Sequence, residues 1–134
     1  MKNKSAPALT AADIIKIQIS QIAYSDEEGD KGTEGLVLYM GTLEYIEMAL
    51  DMPDIKNNPI RSAALVLYTI TTGHPFYQGN KRTAFEAADM LLGLHDMYIS
   101  VKPVELLNFM KDLAMDQYNM EDVEKWIKCH INKV

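Results

Sequence analysis

The 134 residues contain a single cysteine, Cys129. One thiol cannot close a disulfide within the chain and, with no CxxC pair, cannot seed a cysteine-based zinc site. The fold is therefore expected not to depend on an oxidising compartment. No run approaches the ~20 apolar residues that a membrane helix needs, and Met1–Ala8 has no apolar stretch of the kind that directs export. The expectation is a cytoplasmic protein with no membrane partner. Basic side chains are also scarce, because 13 Lys and Arg stand against 19 Asp and Glu for a net charge of −6. Nucleic acids and anionic membranes exchange counterions for a basic surface, so neither is expected as a partner. Internal repeats and low-complexity tracts are absent.

The composition that is present, 48% hydrophobic and 24% charged, suits one globular domain over residues 1–134. Residues 1–8 are expected to be flexible. Residues 25–35, with Asp26, Glu27, Glu28, Asp30 and three glycines, are expected to be a mobile, solvated acidic loop. Elsewhere the periodicity is helical. Thr10 with Asp13 three positions on reads as a helix start, followed by an apolar stripe of Ile14, Ile15, Ile19 and Ile22. Leu36–Tyr39 reads as a helical turn or a short extended piece. A short amphipathic helix runs through Leu43, Ile46 and Leu50 and stops at Pro53. Asn58-Pro59 is a cap followed by first-turn proline, and Ile60–Thr72 is apolar on nearly every side, as a central buried helix must be. Gly73 is expected at the left-handed position past its end. Asn80 is expected to cap the next helix, to about Leu94; Asp96–Val101 is an extended connection; Pro103 and Asn119 open two more helices, the last through Ile131. The nine methionines read as core filler. The predicted fold is all-α, a compact bundle of about six helices.

The segment between the two most buried helices, His74-Pro75-Phe76-Tyr77-Gln78-Gly79-Asn80-Lys81-Arg82, gathers chemistry. A helix N-terminus offers free N–H groups and a partial positive charge, which suits phosphate. Gly79 would let an anion approach the backbone, Asn80 would fix the turn, and Lys81 and Arg82 would add charge-assisted donors. A neutral imidazole at His74 can take a proton from an attacking hydroxyl. Phe76 reads as a hydrophobic anchor for the loop. The combination suggests transfer of a phosphate-containing group.

The string His74-Pro75-Phe76-x-x-Gly79-Asn80-Lys81-Arg82-Thr83-Ala84 closely resembles the signature of the Fic/Doc superfamily in its Doc (death-on-curing) form, and Gly41-Thr42-Leu43-Glu44 resembles a Gly-Leu-Leu-Glu segment of Doc relatives. The resemblance implies a six-helix core. It implies transfer of AMP (Fic type) or of the terminal phosphate (Doc type, a toxin acting as a protein kinase) from a nucleoside triphosphate such as ATP to a hydroxyl of a target protein. It implies His74 as general base, Gly79 and Asn80 as an anion hole, and Lys81 and Arg82 as phosphate holders. Lys81 and Phe85 replace a glycine and an arginine of the longer Fic pattern, so the chain leans to Doc. The resemblance also implies an antitoxin partner, and it places a flap that aligns the target chain at Asp51–Asn58. No Ser or Thr has Glu four residues later, so the self-silencing helix motif of many Fic proteins is missing.

Gln78 stands where the family carries an acidic residue that helps to hold Mg2+. An amide oxygen can coordinate a hard cation but brings no charge, so Mg2+ binding at Gln78 is expected to be weakened. Three readings stay open: a Doc-like phosphotransferase, a catalytically impaired module that still binds nucleotide or phosphate, and a Fic-type AMP transferase. Glu86 and Asp89, on the same helix, read as structural.

Overall fold

A computed structural model describes residues 9–134; the segment 1–8, expected to be flexible, lies outside the described residues. Helix α1 (Ala11–Ala23) starts as predicted. The Thr10 hydroxyl accepts from the Asp13 N–H at 3.0 Å and the Asp13 carboxylate accepts from the Thr10 N–H at 3.0 Å, so two first-turn donors are satisfied reciprocally. Its buried line is Ile14, Ile17, Gln18 and Ile22 rather than the predicted stripe, and Ile19 points outward at 40% exposure. An amide, not an isoleucine, therefore holds the position one turn past Ile14.

After the acidic segment come α2 (Met40–Leu50) and the one-turn α3 (Pro53–Lys56). Pro53 lies past the end of α2 and opens α3, which uses a fixed φ and needs no N–H in its first turn. Helix α4 (Pro59–Gly73) is capped by Asn58, whose side chain accepts from the Arg61 N–H at 3.1 Å. It is the central element, packed on α2, α3, α6 and α7 and most extensively on α5 (Asn80–Gly93). Ala63, Ala64, Ala84, Ala87 and Ala88 are all fully buried, so small side chains line the α4 and α5 core faces and permit close approach.

The chain then forms β1 (Met97–Ile99), α6 (Pro103–Ala114), α7 (Met120–His130) and β2 (Ile131–Lys133). The last helix stops one residue before the predicted Ile131. There β2 pairs antiparallel with β1, Ile99 opposite Ile131, and Asp89 anchors the ribbon by accepting from the Ile99 N–H at 3.1 Å. Strand β1 falls inside the predicted extended connection Asp96–Val101, whereas β2, too short to show a period-two pattern, was not visible in the sequence. The architecture is all-α apart from this ribbon. The Phe109 ring lies flat on Trp126, centroids 4.0 Å apart and planes at 5°, and holds α6 against α7. No helix among the described residues is long and apolar enough to cross a membrane.

Candidate functional site

The α4–α5 loop is pinned by bonds to the 36–39 segment and by its own Asn80 side chain. Helix α4 continues through Gly73, and the left-handed residue is His74, φ 46° and ψ 56°. Glycine suits position 73 for another reason: a Cβ there would lie 3.2 Å from Thr42 Cγ2, a contact tight enough that the Thr42 side chain would have to give way. A left-handed conformation costs a non-glycine residue about 1–2 kcal/mol, and strain of this kind collects where geometry serves function. His74 donates its N–H to the Ile70 carbonyl at 3.1 Å, while its side chain is exposed and has no protein partner among the described residues.

Behind His74 the loop is stitched into the fold. Pro75 O accepts from the N–H groups of Leu38 and Tyr39 at 2.7 and 3.1 Å, the Tyr77 N–H donates to Leu36 O at 3.0 Å, and Val37 bridges Phe76 antiparallel. Leu36–Tyr39 is thus the extended piece of the two alternatives. This is the segment beside the loop, whereas the predicted flap, Asp51–Asn58, sits at the other end of α4. That helix has 15 residues, so the two places are about 22 Å apart along it. The Phe76 side chain is 1% exposed, as an anchor should be.

Asn80 does not cap α5. It is the first helical residue, and its side chain reaches back to close the loop: Oδ1 accepts from the Phe76 N–H and Nδ2 donates to the Phe76 carbonyl, both at 2.9 Å. The cap position belongs to Gly79, φ 80°, where a Cβ would also come within 3.2 Å of Ile22 Cδ1. The N–H groups of Gly79, Asn80, Lys81 and Arg82 have no hydrogen-bond partner among the described residues. Lys81 is exposed. These groups form a potential cradle for an anion.

The acidic segment is not the free loop expected from its composition. Asp30 is 2% exposed and accepts, through one oxygen, from the Ser25 hydroxyl and from Arg82 Nη2 at 2.8 Å. The Ser25 hydrogen bond holds the Asp30 carboxyl below its usual range and the Arg82 hydrogen bond and charge add to this, against the opposing effect of burial. The depressed pKa means that this interaction stabilises the segment above the ordinary carboxylate range, about pH 4, and is lost as pH falls through the folded-state value. Asp30→Asn removes the charged partner of a guanidinium that is partly exposed, and about 1–2 kcal/mol of local stability goes with it. Faster amide exchange and faster cleavage after Glu27 and Glu28 are expected in this variant, with the rest of the chain as protected as in the parent.

Gln78 is half-buried, and its Nε2 lies 3.5 Å from the Gly29 carbonyl. Its main-chain carbonyl accepts from Gln18 Nε2 at 3.1 Å, and Gln18 also donates to Thr33 O at 3.1 Å and accepts from the Gly35 N–H at 2.8 Å. Around this point the donors do not suit a carboxylate-held Mg2+. Gln78 is neutral, Asp30 is engaged by Arg82, and among the described residues no three His, Cys, Asp or Glu side chains gather to hold a metal. Glu86 is half-buried with Lys81, Arg82, Phe85, Leu107 and Met110 in a groove of about 490 Å³ between α5 and α6, which lies beside the loop and which His74 does not line.

The structure thus brings His74, Phe76, Gln78, Gly79, Asn80, Lys81 and Arg82 onto one loop and helix start. Sequence reasoning missed Gln18 and Asp30. A polar residue at the four-residue spacing of Ile14 and Ile22 was a readable signal for Gln18; Asp30 lay hidden among like residues in an acidic run.

This combination of a central buried helix pair and a histidine-to-arginine loop opening the second helix has a counterpart in a known family. The Fic/DOC family profile matches residues 8–92, more than half of the chain and every element from α1 through α5. The chain belongs to the Fic/DOC family. No curated protein matches the chain. Family members are typically transferases of nucleotide or phosphate groups.

Proposed function

We propose that the protein is a Doc-like phosphotransferase that moves the terminal phosphate of ATP to a hydroxyl of a target protein. The observation that carries this reading is the clamped loop, which presents an unpartnered imidazole at His74 beside a helix start whose first N–H groups are also unpartnered. In the step itself, His74 takes the proton of the acceptor hydroxyl as its oxygen forms a bond to the terminal phosphorus. The bond from that phosphorus to the bridging oxygen breaks, and ADP leaves carrying the electron pair. The N–H groups of Gly79–Arg82, with the Lys81 cation, face the charge that develops on the phosphates, while the Arg82 guanidinium, paired through Nη2 with Asp30, offers only its remaining donors. The exposed Leu36, Leu38, Tyr39 and Tyr77 run along the same loop and offer an apolar strip to a protein acceptor. We assign control to an antitoxin whose amphipathic segment lays an apolar face in the groove of Leu107, Met110 and Phe85, with Lys81, Lys111 and Glu86 at its rim.

One observation favours a second reading. Gln78 turns a neutral amide toward the Gly29 carbonyl where the family has an acid, which fits a module that binds nucleotide but transfers little. Incubation of the parent with ATP labelled at either the α or the γ phosphate, Mg2+ and a cell extract separates the readings. Protein-bound γ label from the parent supports the kinase reading, and protein-bound α label replaces it with AMP transfer. Label that appears only with Gln78→Asp replaces it with the impaired module.

A further inference from the structure

We infer that Gln18, in the middle of α1, is a positioning residue that aims the Gly79 N–H into the phosphate cradle. This rests on the transferase reading of the loop. Gln18 is fully buried, yet its amide nitrogen donates twice and its oxygen accepts once, and each bond goes to loop backbone near the site. Its amide nitrogen donates to the carbonyls of Thr33 and Gln78, and its oxygen accepts from the Gly35 N–H. A buried amide that touched only side chains of the core would be a packing detail; this one fixes the orientation of a peptide group in the signature loop.

Peptide planarity supplies the consequence. In a trans peptide the carbonyl of one residue and the N–H of the next point in opposite directions, and the chain has no cis peptide bond among its described residues. Because the Gln78 carbonyl is directed at Gln18 Nε2 in the interior, the Gly79 N–H is directed away from α1. Gly79 is held in the same sense from below, since its Cα lies so close to Ile22, one turn beyond Gln18, that a Cβ would come within 3.2 Å of Ile22 Cδ1. Gly79 at φ 80° is a residue whose flanking peptide groups rotate at little steric cost. Without the Gln18 bond, the 78–79 peptide could turn its carbonyl oxygen toward the cradle and present a partial negative charge to a phosphate. The same side chain ties Thr33 and Gly35 to this peptide, so the acidic segment and the signature loop are registered against one amide.

Two variants test this. Gln18→Met keeps the length of the side chain and removes every hydrogen bond, and Gln18→Glu keeps the acceptor for the Gly35 N–H but places a carboxylate against two carbonyls. Each is compared with the parent well below its own melting temperature by ATP titration calorimetry and by the Gly79 amide resonance of 15N-labelled protein. The expected result is a shifted Gly79 resonance in both variants before any ligand is added, with ATP bound at least tenfold more weakly. In Gln18→Glu, affinity should recover in part at pH 5.5 relative to pH 7.5, because a protonated carboxyl donates again to one carbonyl. Folded variants that bind ATP as the parent does, with an unmoved Gly79 resonance, overturn the inference while leaving the transferase reading intact. A parent that does not bind ATP overturns the transferase reading and with it the purpose assigned to Gln18.

Discussion

The His74→Ala variant will bind ATP as the parent does and transfer its phosphate about 10²–10⁴ times more slowly, the usual contribution of a positioned general base. Binding is spared because the imidazole has no hydrogen bond within the described protein and the cradle groups stand on the next helix. His74→Gly provides the control that separates chemistry from folding. The left-handed backbone at φ 46° is strained for histidine and for alanine but costs glycine little, so His74→Gly is expected to be as inactive as His74→Ala and more stable than either parent or alanine variant by about 1 kcal/mol. Stability that rises while transfer falls marks a residue retained for its side chain at a conformational cost. Transfer rates from labelled ATP and urea midpoints for the three proteins measure both quantities; an active His74→Ala protein would remove His74 from the step.

How far the sequence could be read depends on how local the determining interaction is. Thr10 with Asp13, Asn58 with Pro59, and Asn119 each act within one turn, and all three helix starts fall where their side chains predict. Asn80 was legible as the turn-fixing residue, though not as the helix start it makes, because its partner Phe76 lies inside the signature, and Phe76 was legible as an anchor from its large apolar ring alone. The failures share long sequence separation. The Arg82–Asp30 pair spans 52 residues and the Gln18–Gln78 bond 60, and no periodicity encodes either. Gly73 and His74 exchanged roles for a similar reason. The close approach of Thr42 from α2 favours glycine at 73, and the left-handed residue is the next one, which carries the side chain proposed for the reaction. The acidic segment shows the same limit: Glu27, Glu28 and Asp30 look alike in sequence, yet only Asp30 meets a hydroxyl and a guanidinium and becomes buried. Composition gave the segment's charge; tertiary contact decided which charge was used.

Phe76→Ala is expected to be the most damaging single change outside the proposed chemistry. The ring is 1% exposed in a close-packed core, and removing a buried phenylalanine side chain costs about 3–5 kcal/mol through lost burial and the cavity left behind. Against the 5–15 kcal/mol that holds a typical domain together, this lowers the melting temperature by roughly 10–20 °C. The consequence for the site follows from what the Phe76 backbone does. Its N–H and carbonyl are the two groups that Asn80 clamps, and Val37 is bridged to it from the other side. A ring that no longer fixes this residue frees the clamp, and the first turn of α5 then loses its fixed relation to His74. ATP affinity should therefore fall in Phe76→Ala even at temperatures where the chain remains folded. Phe76→Leu, which refills most of the volume with an apolar side chain, should recover most of both stability and affinity. Thermal melts and ATP titrations on the two variants read these effects. If Phe76→Ala loses stability but binds ATP as tightly as the parent, the ring packs the core without setting the loop, and the geometry of the cradle must then be fixed by Asn80 and by the backbone bonds to Leu36, Leu38 and Tyr39.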